Sequence, residues 1–174
     1  MTLPFVPELP VSDQVPDWHV TAFAWRGACL DVFSRAEHSI DDCCEVLEVS
    51  GCDLGPMAHH NFSAARANAL RGFLEERGSF TAHARPCVEM LDEWCALMQQ
   101  RVLVAHGKMS VSDAGLTLRY REHRGKKGVT AHEQSFSRLD MLAFLKRISE
   151  VQRRLHMQLG QIKAASRRGG QNAA

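Results

Sequence analysis

The chain has 174 residues, of which 45% are hydrophobic and 24% are charged. This length fits one ordinary domain, and this composition is typical of a globular protein rather than a disordered or membrane-spanning one. No apolar run approaches the roughly 18 residues that a transmembrane helix needs. The first residues lack the basic and apolar regions of a secretory signal, so we expect a cytoplasmic protein without a membrane partner.

Charge is divided unevenly along the chain. The formal total is +1, but residues 1–100 hold 6 Lys and Arg against 15 Asp and Glu, whereas residues 101–174 hold 15 against 5. Such asymmetry indicates either that the two halves attract each other or that the basic half meets an anion.

Hydrophobic spacing predicts four helices. Four prolines among residues 1–16 indicate an extended N-terminal arm. Apolar residues spaced by three and four then predict helices over about 17–50, 57–77 and 81–106, the third starting nearer Arg85 if Pro86 lies in its first turn. The last helix follows a capping box at Ser137 and Asp140 and ends near Ala165, before a disordered tail over 166–174.

A short region between the third and fourth helices has a different period. Apolar and polar residues alternate over Leu116–Arg121, which predicts a β-hairpin or meander over about 109–136, with a strand near 129–134. The predicted fold class is therefore all-α: one domain over residues 17–165, built as a four-helix up-down bundle with this β-insert.

The most informative stretch is Gln99–Gly107, at the predicted end of the third helix. Arg101 and His106 are separated by four residues, and Gly107 follows. This arrangement resembles the Arg-x4-His signature of the HEPN superfamily, small helical-bundle proteins that include many metal-independent endoribonucleases. The resemblance implies a catalytic pair of Arg101 and His106, a homodimer in which two such motifs meet, and a role in toxin or defence systems. Val102 stands where active members often carry a polar residue, frequently Asn.

Physical chemistry gives this motif a meaning of its own. Residues five apart on an ideal helix point roughly 140° from each other, so one chain alone would form a poor site, and a two-fold contact could gather two Arg and two His around one phosphate. Arg offers a planar fork for phosphate oxygens, and His could transfer a proton when an RNA 2′-hydroxyl attacks. The negative end of the helix dipole favours protonated His106. Cations at a helix C-terminus are also favoured without any catalytic role.

Two further groups are candidates for supporting this site. Glu37 and His38 on the first helix could face the motif and orient it, or could belong to a solvated surface. The second group is a basic turn, which could bind successive phosphates of a nucleic acid or could simply be the solvated end of an exposed hairpin. It comprises Arg119, Arg121, Arg124, Lys126 and Lys127.

We expect no metal and no cofactor. Six cysteines are too few and too scattered for a disulfide framework. The spacing in the one candidate zinc group matches no Cys-x2-Cys pattern; this group comprises Cys43, Cys44, Cys52, His59 and His60. The three tryptophans are interpreted as core and interface anchors.

The leading hypothesis is a metal-independent endoribonuclease or RNA-binding protein that uses a composite Arg101/His106 site at a homodimer interface. The alternative is a non-catalytic dimerising interaction or nucleotide-binding module of the same fold. A cognate partner protein that docks on the acidic half or the basic hairpin is a third possibility.

Overall fold

The computed structural model describes residues 17–76, 81–123 and 128–171. Within these ranges the chain forms four α-helices, namely α1 (Asp17–Val49), α2 (Ser63–Glu76), α3 (Thr81–His106) and α4 (Arg138–Gln171), with a 3-10 helix at Pro56–His59. Three strands lie between α3 and α4: β1 (Lys108–Ser112), β2 (Gly115–His123) and β3 (Val129–Phe136). The predicted N-terminal arm, residues 1–16, lies outside the described residues.

The predicted all-α fold class is wrong, because the three strands form an antiparallel sheet, in the order β1-β2-β3, that belongs to the core. Leu116, Leu118 and Phe136 are buried, and Leu116 lies opposite Phe136 across the β2–β3 pair. Successive side chains of a strand point to opposite faces, so β2 turns Leu116 and Leu118 inward and Thr117 and Arg119 outward. The protein is therefore mostly helical with a sheet that packs against α1, α3 and α4.

Aromatic side chains hold the helices and the sheet together. The rings of Phe33 on α1 and Trp94 on α3 lie 5.3 Å apart between centroids. Trp25 packs beside Phe136 and Phe144, with centroids 5.2 and 6.0 Å away. All three tryptophans are buried, which confirms their prediction as core anchors.

The second helix differs from its predicted bounds, whereas the third matches the predicted range of 81–106. The second predicted helix is divided, because His60 has an extended backbone after the 3-10 helix and α2 begins only at Ser63. Helix α3 begins at Thr81 and contains Pro86, which removes one backbone donor near the helix start without ending the helix.

The final helix and its cap are clear. The Ser137 hydroxyl and backbone N–H donate to the Asp140 carboxylate at 2.7 and 3.0 Å, and the Asp140 N–H donates to the Ser137 hydroxyl at 3.2 Å. This confirms the predicted capping box. Helix α4 continues past Ala165 to Gln171, so most of the predicted tail is helical, and the last residues, 172–174, lie outside the described part. Ser166, the first residue of the predicted tail, is buried. No helix among the described residues is both long and apolar enough to cross a bilayer.

Candidate functional site at the end of helix α3

Helix α3 ends in a tight turn that requires glycine. The backbone N–H of Gly107 donates to the Leu103 carbonyl at 2.8 Å. A Cβ atom at position 107 would collide with that carbonyl oxygen, so a side chain cannot be placed there without moving the backbone. Gly107 thereby allows β1 to begin directly after His106, and this fixes His106 at the junction of helix and sheet.

Arg101 forms a two-point ion pair with Glu37 of α1. Its Nε atom donates to Glu37 Oε1 at 2.9 Å and its Nη2 atom donates to Oε2 at 3.3 Å. The Ser63 hydroxyl, at the start of α2, donates to the same Oε1 at 3.0 Å. The Glu37 side chain is only 16% exposed and that of Arg101 is 30% exposed. The pair therefore joins three helices, and the planar fork of Arg101 is already occupied by a carboxylate.

His106 takes part in a different arrangement. Its exposed ring lies beside Tyr120 of β2, with 6.3 Å between ring centroids. Tyr120 in turn stacks with His132 of β3, at 6.2 Å and an interplanar angle of 27°. Within the described residues, His106 makes no hydrogen bond or ion pair. The structure thus directs Arg101 toward α1 and His106 toward β2, and a single chain does not bring the two together.

A groove of about 770 Å³ runs between the last two turns of α3 and the sheet. Tyr120 lies on its wall, and the exposed Phe62 lies across from α3 on the segment before α2. The Gln100 Oε1 atom is buried and has no hydrogen-bond partner within the described residues. The groove is lined by Phe62, Gln99, Gln100, Val102, Leu103, Tyr120, Glu122, Ala131, His132 and Glu133.

Two ion pairs lie on the sheet, one on each face. His132 Nε2 lies 3.3 Å from Glu122 Oε2. Arg119 donates two hydrogen bonds to Glu133, at 2.8 and 3.2 Å, and these bonds hold the pKa of Glu133 below its usual value. Because Arg119 and Arg121 alternate with Leu118 and Tyr120, both arginines lie on the outer face of the sheet, away from Tyr120.

The remaining predicted site residues are distributed as follows. His38 Nδ1 bonds to the Ser34 carbonyl of its own helix at 2.8 Å and does not reach the motif. Arg124, Lys126 and Lys127 lie outside the described residues. No group of three His, Cys, Asp or Glu side chains in the described ranges is arranged to hold a metal ion.

Sequence reasoning missed three residues of this site. Arg26 of α1 donates from Nη2 to the Ala105 carbonyl at 2.8 Å and so satisfies the end of α3 beside His106. The sequence feature that could have identified Arg26 is that no other Lys, Arg, Asp or Glu lies between Trp18 and Leu30. Tyr120 and His132 lie directly opposite each other in the β2–β3 register, which the local sequence pattern does not specify.

The fold and the site define a mostly helical protein with a small sheet and an exposed imidazole beside a groove. No protein-family model, curated protein or solved structure matches the chain.

Proposed function

We propose that this chain is a cytoplasmic, HEPN-like protein that binds single-stranded RNA or a nucleotide in the groove beside His106. The observation that carries this proposal is a row of three rings, His106, Tyr120 and His132, of which Tyr120 and His132 line a groove of about 770 Å³. A cavity of this size is within the range that takes small ligands. Flat rings next to such a groove offer a stacking surface to a base.

The polar groups of the groove support the same ligand class. Gln99 and Gln100 of α3 both line the groove. Amide side chains are common partners of base edges.

Arg101 has a supporting role in this proposal. Its guanidinium is held by both carboxylate oxygens of Glu37, so binding a phosphate would first require breaking that pair. The pair instead fixes α3 against α1 and keeps the groove wall in place. The groove thus favours the binding function over the composite Arg101/His106 catalytic site.

Fluorescence anisotropy with a labelled single-stranded RNA tests the binding proposal. Stacking on an aromatic side chain is worth about 1–3 kcal/mol per base, so Tyr120→Ala is expected to weaken binding about tenfold or more. His106→Ala is expected to weaken binding as well. The matched control is His156→Ala, because His156 lies on α4, a helix that contributes no residue to the lining of the groove. Equal affinities for wild type, Tyr120→Ala and His106→Ala would contradict the proposal.

RNA cleavage is the second candidate, and the exposure of His106 at the helix end favours it. An imidazole in this position could take the proton of a 2′-hydroxyl as that oxygen attacks the phosphorus; the bond to the 5′-oxygen breaks, that oxygen takes a proton from water and leaves as a hydroxyl, and a 2′,3′-cyclic phosphate forms. Cleavage of unstructured RNA in EDTA, followed by gel analysis, tests this step. Identical cleavage patterns for wild type and His106→Ala would exclude His106 as the catalytic group. RNA that is bound but not cleaved would exclude the nuclease candidate and support the binding function.

A further inference from the structure

A second groove, of about 500 Å³, lies between the first turns of α1 and α4. Its walls include Trp18 and Trp25 of α1 and Met141 of α4, and Leu142, which also lines it, is 66% exposed. The only Lys, Arg, Asp or Glu in its lining is Arg138. We call it the α1/α4 groove. It shares no lining residue with the groove at the end of α3, so it is a separate surface.

The polar groups of the α1/α4 groove are few. The indole N–H of Trp18 donates to the Ser112 carbonyl and that of Trp25 donates to the Met141 carbonyl, so neither indole needs a ligand as an acceptor. Arg138 lies 4.5 Å from the centroid of the Trp18 ring and makes no ion pair within the described residues. A ligand that fits this groove is therefore apolar, has few unbonded N–H groups and brings one carboxylate to Arg138.

Residues 1–16, which lead directly into α1, contain a three-residue repeat with these properties. An apolar residue followed by proline recurs in Leu3–Phe5, Val6–Glu8 and Leu9–Val11. Proline fixes its own φ and restricts the residue before it to extended conformations, so this repeat favours a polyproline II helix. With three residues per turn, such a helix aligns the three prolines along one edge and the apolar residues before them along the next. Each proline also removes one backbone N–H.

Aromatic grooves are the surfaces that bind polyproline II segments, because the conformation of the segment is largely preformed. We propose that residues 3–11 occupy the α1/α4 groove of their own chain, with their prolines against the rings of Trp18 and Trp25. Charge complementarity supports this occupant. Glu8 is the only charged residue among residues 3–11, and Arg138 is the only one in the lining of the groove.

The direction of the helices places the groove where residues 1–16 join α1. Helices α1 and α4 run in the same direction, since Trp18 lies beside Arg138 and Ser39 bonds to His156 further along both helices. The α1/α4 groove is formed by the first turns of both helices. The segment that precedes α1 therefore reaches the groove by reversing its direction once, beside Trp18.

The lengths of the groove and the segment also agree. The part of α1 that lines the groove extends from Trp18 to Ala28, which is about 15 Å at about 1.5 Å per residue. A polyproline II helix rises about 3.1 Å per residue, so about five residues cover this length. Residues 12–16 remain for the reversal and span at most roughly 17 Å. Residues 3–11 are thus long enough to fill the groove while joined to α1.

Nuclear Overhauser spectroscopy of the full chain tests the proposal. Contacts are expected between the ring protons of Pro7 or Pro10 and the indole protons of Trp18 or Trp25. A sample that mixes isotope-labelled and unlabelled chains shows whether these contacts lie within one chain, as expected, or between two chains. Absence of the contacts, or contacts only between two chains, would overturn the proposal.

Proteolysis after Glu8 by a glutamate-specific protease gives a second measurement, because Glu8 lies in the middle of the repeat. Leu142→Asp places a carboxylate in the groove lining and is expected to accelerate this cleavage at least about fivefold, since cleavage follows the population of undocked chains. The matched control is Met157→Asp, also on α4, where the side chain is 51% exposed and outside the lining. It is expected to be cleaved like wild type. Neither substitution alters the cleaved sequence.

Circular dichroism shows whether the two variants keep the helix content of wild type. If Leu142→Asp does not fold, the Overhauser contacts of the wild-type chain decide the result. Equal rates of cleavage after Glu8 in wild type, Met157→Asp and folded Leu142→Asp would also overturn the proposal. These outcomes do not depend on RNA binding, because the two grooves have no lining residue in common.

Discussion

Arg101 directs its guanidinium to Glu37 and away from His106, although both belong to the same motif and the same helix. The Arg101 Nε atom lies 2.9 Å from Glu37 Oε1, whereas the ring of His106 lies beside Tyr120. One residue of the motif therefore ties α3 to α1, and the other lies beside Tyr120, which lines the groove. This division separates the stability of the protein from its ligand binding, and each can be tested by its own substitutions.

A double-mutant cycle of Glu37→Gln and Arg101→Gln is expected to give a coupling free energy of about 1–2 kcal/mol, because the pair is two-pointed and largely shielded. Urea unfolding provides the measurement. The control cycle uses Asp31 and Arg35 on α1, whose side chains are 57% and 69% exposed, and is expected to give about 0.5 kcal/mol or less. A coupling no larger than that of the control would show that the Glu37 pair does not hold the helices together.

Gly107→Ala is expected to lower the free energy of unfolding by about 1–3 kcal/mol, because the new methyl group meets the Leu103 carbonyl oxygen. Gly160→Ala on α4 is the matched control. A Cβ at Gly160 meets nothing within 4 Å, so there the same substitution is expected to stabilise the helix by about 0.5–1 kcal/mol. Thermal unfolding should show a lower midpoint temperature for Gly107→Ala and a higher one for Gly160→Ala. Midpoints that shift in the same direction in both variants would contradict the close approach at Gly107.

Asp140 is expected to contribute to stability only above acid pH. Hydrogen bonds from Ser137 lower the pKa of Asp140 in the folded protein. Its contribution is therefore present above the unfolded pKa, about 3.9, and is lost as the pH falls through the lower folded pKa. Asp140→Asn should reduce the loss of stability in this acid range, as measured by urea midpoints at several pH values. Glu45→Gln, at an exposed position on α1, is the control, and equal changes in both variants would argue against the cap.

The buried cysteines are expected to resist alkylation in the folded protein. Burial raises the pKa of Cys29, Cys44 and Cys87 to about 12 and raises that of Cys43 as well. Because the thiolate is the reactive form, iodoacetamide at pH 8 should label the partly exposed Cys52 first. Peptide mass spectrometry measures the labelling, and denatured protein should be labelled at every cysteine. Labelling of Cys29 or Cys87 as fast as Cys52 would show that the core opens readily.

Local sequence patterns located most elements but not the way they combine. Alternation over Leu116–Arg121 predicted strands in the right place, and the apolar spacing predicted α1 and the end of α3. The all-α class was wrong because a strand pattern does not reveal whether its apolar face enters the core, as Leu118 does. The break at His60 was missed because the apolar spacing continues through it.

The site was predictable only in part, for a similar reason. Glu37 followed from its position on α1, and the structure brings it to Arg101. The pairing of Tyr120 with His132 depends on the register of β2 and β3, and the cap that Arg26 places on α3 depends on how two helices cross. Such contacts between distant segments are set by tertiary packing, which a local pattern does not contain.

The indole N–H groups of Trp18 and Trp25 donate to the carbonyls of Ser112 and Met141, at 2.8 and 2.7 Å. Both acceptors are synthesised long after α1 itself. During synthesis, these two indole N–H groups therefore cannot form their hydrogen bonds until β1 and the start of α4 have left the ribosome. The fluorescence of Trp18 and Trp25 should consequently report the docking of α1 on the sheet and on the start of α4 rather than the formation of α1 itself.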